Sequence, residues 1–145
     1  MKTFLRFILL CCVVEVLSVD FPEDLLDEHA YGCFKKLNLS KDILSSYFDD
    51  RLKMVNLDET GVNLLKCQLK DGNYFTHEGE PNKEPMVKWI AKWLKLIAKR
   101  DPQGKDWATL AAEFYEHCEN IKDDNEAELM KRWNKCLTDQ ADNIV

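Results

Sequence analysis

The chain is poor in the signatures that usually announce chemistry. It has no GxSxG, no HExxH, no glycine-rich phosphate loop and no Cys/His/Asn arrangement, so the usual hydrolase, metalloprotease and nucleotide-binding readings have nothing to rest on. Ser45, Ser46 and the three histidines have no spacing that asks for a triad, and the chain reads as a non-enzyme. No CxxC pair occurs, and the close His/Cys pairs are His29 with Cys33 and His117 with Cys118. Zinc ligand spacing is therefore missing, and no metal or other cofactor is implied. Positive charge is also in deficit: 20 Lys and Arg stand against 26 Asp and Glu, a net of -6 that disfavours nucleic-acid binding. Alternating strand patterns, internal repeats and low-complexity segments are missing as well.

What is present begins with a basic start, Met1-Lys2-Thr3-Phe4-Leu5-Arg6, and an apolar run from Phe7 to Val14. The run is too short to span a bilayer, and no other apolar stretch is long enough for stable membrane insertion. It reads as a secretory signal peptide over residues 1–18, cut after Ser18 with small Val16 and Ser18 at the recognition positions. Of 145 residues, 127 then remain in one domain over 19–145, and the net charge moves to -7 as Lys2, Arg6 and Glu15 leave. Cys11 and Cys12 leave too, so six cysteines become four: Cys33, Cys67, Cys118 and Cys136. An even number in a secreted, extracellular chain reads as two disulfides, for which three pairings exist.

Helical spacing dominates the rest, and about six helices form an all-α domain. The organising stretch is Cys118 to Cys136, where Trp107, Leu110, Ala111, Phe114 and Cys118 recur at three-and-four spacing before a Lys122-Asp123-Asp124 turn. Leu129, Met130, Trp133, Cys136 and Leu137 repeat the pattern after it, so two inward-facing cysteines suit a bond worth roughly 3 kcal/mol. Upstream, Phe21-Pro22-Glu23-Asp24 reads as a helix start, with Leu25, Leu26, His29, Cys33 and Leu37 as the buried stripe. Asn38-Leu39-Ser40 is a glycosylation sequon at a helix break, followed by a short helix through Ile43, Leu44, Tyr47 and Phe48. A further helix opens at Asp58-Glu59 and stops at Gly72, before a loop from Asp71 to Asn82 that holds Tyr74 and Phe75. The strongest helix opens at Pro85, carries Met86, Trp89, Ile90, Trp93, Leu94 and Ile97, and ends at Asp101-Pro102-Gln103-Gly104. On its polar side Lys88, Lys92, Lys95, Lys99 and Arg100 make a basic stripe, the pattern of a solvated face, with contact to an anionic surface or headgroup as the alternative. Asp139 to Val145 reads as a short tail.

Taken alone, the aromatic residues on these stripes describe an ordinary packed core. The cysteine order and the helices between them, however, resemble the insect odorant-binding protein family, the pheromone and general odorant-binding proteins, over roughly Leu25 to Leu137. Further likeness lies in Cys67-Gln68-Leu69-Lys70-Asp71-Gly72, an aromatic pair and Glu78-Gly79. Family members usually carry six cysteines. The second and fifth would fall at Asn63 and Ala127, so the chain resembles a four-cysteine, or minus-C, member that has lost the pair those two form. The stretch between Cys67 and Cys118 is longer than usual in the family. The helical faces and the family pattern together favour Cys33 with Cys67 and Cys118 with Cys136.

The resemblance implies a secreted carrier that reversibly binds a small hydrophobic molecule, such as an odorant, pheromone or fatty acid, in an apolar cavity walled by helices. Micromolar affinity, near -8 kcal/mol, is the expectation. The residues expected around the ligand are Tyr47, Phe48, Met54, Leu65, Phe75, Trp89, Ile90, Trp93, Ile97, Leu110, Phe114, Met130 and Trp133, with Tyr47 as the polar anchor. A receptor contact or a weak homodimer stays open, and salivary D7-type proteins that sequester host mediators or interfere with clotting are the alternative function. His29 and His117, if buried beside the disulfides, would loosen the pocket on acidification. If His117 instead stays exposed among Glu113, Glu116 and Glu119, it only exchanges surface contacts.

Overall fold

A computed structural model of the chain describes residues 20–98, 102 and 104–144. The signal-peptide reading, Cys11 and Cys12, and Lys99 and Arg100 of the basic stripe lie outside the described residues. Five α-helices carry the fold: α1 (Glu28–Leu37), α2 (Glu59–Asp71), α3 (Lys83–Ile97), α4 (Trp107–Cys118) and α5 (Glu126–Asp142). Two 3-10 helices, Glu23–Leu25 and Lys41–Ser46, flank α1, and no strand occurs among the described residues. Four of the α-helices begin in the same way, with an acid or amide side chain accepting from the first turn: Asp27 from Ala30 N, Asp58 from Gly61 N, Asp106 from Thr109 N and Asn125 from Ala127 N, all at 2.8–2.9 Å. Pro85 sits in the first turn of α3, where a missing N–H leaves no helical bond unmade.

Several boundaries differ from the sequence reading: α3 opens at Lys83, two residues before Pro85, and the short helix after Ser40 is a 3-10 helix that ends at Ser46, before Tyr47 and Phe48. The proline and acids at 21–24 form only a 3-10 turn, and α1 starts after the Asp27 cap. That later start rotates the buried face of α1 onto Ala30, Cys33 and Phe34 and leaves His29 and Leu37 exposed. α3 ends at Ile97, short of the Asp101–Gly104 stop. At the other end the expected tail is helical to Asp142, because Ala141 continues the stripe of Leu137 one turn on and is buried.

The cysteine pairing is as expected. Cys33 joins Cys67 across α1 and α2, and Cys118 joins Cys136 across α4 and α5, with Cα–Cα distances of 5.8 and 6.1 Å. Each bond serves one of two apolar clusters. The smaller packs Ala30, Cys33, Phe34, Leu44, Tyr47 and Leu64 between α1, α2 and the second 3-10 helix. The larger joins α3, α4 and α5 through Ile90, Trp93, Leu110, Phe114, Trp133 and Leu137, with Leu25 added from the first 3-10 helix and Leu52 from a loop. Phe21 and Phe48, ring centroids 5.3 Å apart, pack against both clusters and mark the seam between them. Among the described residues no helix is long and apolar enough to cross a membrane.

Candidate functional site

An apolar pocket of about 140 Å³ lies at that seam. Six segments wall it. The N-terminal segment gives Phe21 and Leu25, the loop after the second 3-10 helix gives Phe48, Leu52 and Met54, and α2 gives Leu65, Gln68 and Leu69. The loop after α2 gives Tyr74 and Phe75, α3 gives Met86 and Trp89, and α5 gives Met130, Trp133, Asn134 and Leu137. No carboxylate, ammonium, guanidinium or imidazole is on this wall. A volume of this size matches an apolar cavity that holds a single benzene-sized ring.

The loop from Phe48 to Met54 is the most elaborately held part of the wall. Phe48 and Met54 face each other in a single antiparallel bridge, and the Asp49 carboxylate accepts from Arg51 N and Lys53 N at 2.9 Å each. Leu52 adopts a left-handed conformation, φ 60°, that a branched aliphatic residue rarely takes, so something outside the loop must hold it there. α5 does this. The Asn134 amide oxygen accepts from Met54 N at 2.9 Å, and its amide nitrogen donates to Leu52 O at 3.1 Å. One turn past Thr138, Asp142 pairs with Arg51 at 2.7 Å and Lys53 at 2.8 Å, and the Lys53 bond first, then Arg51, holds its carboxyl below the usual carboxylate range. The segment expected to be a tail therefore clamps the pocket loop.

On the other side, the Tyr74–Asn82 loop folds back through a Phe75–Pro81 bridge, a Gly79 turn at φ 78° and an Asn82 N–H bond to Tyr74 O at 2.8 Å. Burial, reinforced by Asp27 across a 3.5 Å contact, pushes the Tyr74 hydroxyl up to about 12. Phe75 meets Trp133 edge-on at 6.3 Å. Leu69, Phe75 and Met130 also line a larger, more polar groove on the outer side of this loop, so these three side chains separate the pocket from solvent there.

Of the residues expected around a ligand, Phe48, Met54, Leu65, Phe75, Trp89, Met130 and Trp133 come together on this wall. Ile90, Trp93, Leu110 and Phe114 do not line it. They are buried where α3 meets α4, with Trp93 and Phe114 rings 6.5 Å apart, and Ile97 packs against the same cluster. Tyr47 is in the smaller cluster. Its hydroxyl donates to Asp58 at 2.9 Å and its ring covers Gly61, where an added Cβ would lie within 3 Å of both Leu57 and the ring. It is thus a brace for the start of α2 rather than an anchor on the pocket, and burial with the Asp58 bond pushes its hydroxyl up to about 12. Phe21, Leu25, Leu52, Gln68, Leu69, Tyr74, Met86, Asn134 and Leu137 complete the wall without having been expected there. Leu25, Leu69, Met86 and Leu137 do lie on apolar stripes legible in the sequence, whereas Leu52, Gln68 and Asn134 give no local signal.

The histidines play no part in the pocket. His29 and His117 are both exposed, His29 beside Glu28 at 4.0 Å, so the buried imidazole needed for acid-triggered loosening is missing at both positions. The second reading of His117, a surface residue among acids, is the one its exposure fits.

No curated protein and no solved structure matches the chain. Residues 21–140 match the model of the PBP/GOBP family, a family of binding proteins rather than enzymes, and with most of the chain covered the protein belongs to that family, the insect odorant-binding proteins.

Proposed function

We propose that the protein is a secreted carrier that reversibly takes a small hydrophobic molecule into the pocket between its two apolar clusters. The observation that carries this reading is a wall of sixteen residues with no carboxylate, ammonium, guanidinium or imidazole, built from six segments of the chain. Ligand-facing residues are those on that wall, foremost Phe48, Met54, Leu65, Phe75, Trp89, Met130 and Trp133. The volume, about 140 Å³, suits a single ring or a short chain. A ligand of a dozen methylenes requires the wall to open, and the unbranched side chains of Met54, Met86 and Met130 are the ones that re-pack most cheaply. Two disulfides accord with an oxidising, extracellular setting and with the leader read over residues 1–18.

We also read the chain as the four-cysteine type. Asn63 lies on α2 one turn before Lys66, and Ala127 follows Glu126 at the start of α5. Lys66 and Glu126, near those two positions, form an exposed ion pair at 2.9 Å between α2 and α5, which supports this reading.

The test is a titration of the purified, disulfide-intact chain with single-ring aromatics, monoterpenes and biogenic amines, followed by tryptophan fluorescence, since Trp89 and Trp133 line the pocket. One-to-one saturable binding in the micromolar range is expected. No saturation by any of these up to their solubility would refute the carrier reading, and saturation by biogenic amines alone would move it to the mediator-sequestering alternative.

A further inference from the structure

One motif of the sequence has no part in the pocket. Asn38-Leu39-Ser40 is the only Asn-x-Ser/Thr triplet in the chain. Both of its polar residues sit at helix ends. Asn38 closes α1 in the left-handed region, φ 52° and ψ 47°, which asparagine tolerates better than other residues with a side chain. Ser40 opens the second 3-10 helix, its hydroxyl accepting from Asp42 N at 3.3 Å and donating to Asp42 Oδ2 at 3.0 Å. The turn itself is held by backbone, with Asn38 N donating to Lys35 O at 3.3 Å and Leu39 N to Phe34 O at 2.9 Å. The Asn38 carboxamide is exposed and makes no hydrogen bond among the described residues.

Asn134-Lys135-Cys136, an Asn-x-Cys triplet and so a poorer acceptor form, is the contrast. Both ends of the Asn134 amide are bonded to Leu52 and Met54, and Cys136 is joined to Cys118. A sugar on Asn134 would stand on the pocket wall and break its hold on the loop, whereas a sugar on Asn38 displaces nothing.

Chain order also leaves the first triplet open during synthesis. The 3-10 helix that engages the Ser40 hydroxyl is buried through Leu44 in a cluster that needs Leu64, and the loop around it is closed by Cys67. Leu64 and Cys67 follow in the chain, so Asn38 and Ser40 emerge before the structure that locks them can form.

We propose that Asn38 is an N-glycosylation site, accepting one oligosaccharide from a polyprenyl-pyrophosphate-linked donor. Asn38 Nδ2 gives up one proton and bonds to the anomeric carbon of the reducing-end N-acetylglucosamine. The bond from that carbon to the pyrophosphate oxygen breaks, and polyprenyl pyrophosphate leaves with the electron pair. The product adds a bulky hydrophilic group beside the exposed Leu37, at the end of α1 and off the pocket wall. The inference rests on the secretory part of the reading above and not on what the pocket binds.

The experiment expresses the full chain with its own leader in insect cells, and recovers it from the medium for intact-mass measurement and peptide mapping before and after peptide:N-glycosidase treatment. A mass increase of one N-linked oligosaccharide is expected, removed by the enzyme with conversion of Asn38 to aspartate, while the peptide holding Asn134 stays unmodified. Asn38→Gly keeps the left-handed turn and should abolish the increase, as should Ser40→Ala. Ser40→Thr keeps the hydroxyl and should retain it. Because Ser40→Ala also removes a helix cap, Asn38→Gly and Ser40→Thr decide the question if that variant fails to fold.

Secreted chain at the bare polypeptide mass, with Asn38 intact on mapping, overturns the proposal and leaves the secretory reading standing. An increase that survives Asn38→Gly overturns it as well. Chain that stays in the cytosol with its leader attached defeats the secretory reading and takes the inference with it.

Discussion

Replacing Asn134 by alanine tests whether one side chain holds the wall of the pocket. Its amide makes two bonds to backbone eighty and more residues away, at 2.9 and 3.1 Å, and without it Met54 N and Leu52 O lose their partners. Each such bond contributes about 1 kcal/mol net, and a backbone group left buried without a partner costs about 1–3 kcal/mol. Leu52 is 5% exposed, so the upper part of that range applies to its carbonyl more than to Met54 N. The left-handed Leu52 also loses its restraint. Alanine returns roughly 0.6 kcal/mol through better helix propensity, which leaves a net loss of about 2–3 kcal/mol. For a domain of this size that lowers the melting temperature by about 6–12 °C. Thermal and urea unfolding of the purified chain measure it, and probe dissociation should quicken because the loop carries Phe48, Leu52 and Met54. Arg51→Ala is the control: it removes an exposed ion pair from the same loop and should cost far less. A loss below about 0.5 kcal/mol in Asn134→Ala, or one equal to that of Arg51→Ala, would refute the reasoning.

The two disulfides close loops with sequence separations of 34 and 18, so paired Cys→Ala replacement should cost roughly 4 kcal/mol for Cys33–Cys67 and roughly 3 for Cys118–Cys136 by urea unfolding. If the four-cysteine reading is right, Asn63→Cys with Ala127→Cys should form a third bond and raise stability, and a pair that stays reduced in an oxidising buffer would count against it. Tyr47 and Tyr74 are both held near 12, above their ordinary value of 10, so the stability they lend is complete below pH 10 and is lost as pH rises from there to about 12. Tyr47→Phe should flatten that alkaline loss and cost about 1 kcal/mol at neutral pH, read by denaturant titration across the pH series.

The helices were open to inspection because their apolar positions recur every three or four residues, and the cysteines fall on those stripes at Cys33, Cys67, Cys118 and Cys136. Boundaries were less so. Proline with two acids at residues 22–24 gives the same signal as the true start at Asp27-Glu28, and the backbone geometry after the first turn decides between them. For the pocket the difficulty is deeper. Periodicity says which side chains point inward, but not whether they meet another helix or a gap. Ile90 and Trp93 face α4, whereas Trp89, on the same helix, faces the pocket.

Polar residues at the edge of a stripe are harder still, since a helix presents Gln68 and Asn134 in sequence as it would present any solvated amide. In the fold both are on the pocket wall, yet only one is already spent. Asn134 is consumed by the carbonyl and amide of a loop that precedes it by some eighty residues, while Gln68 Nε2 finds no acceptor at all. Whether the amide at 134 braces the wall is thus decided by where a distant left-handed leucine lies, and that position is set by the tertiary fold and not by any residue near Asn134 in the chain.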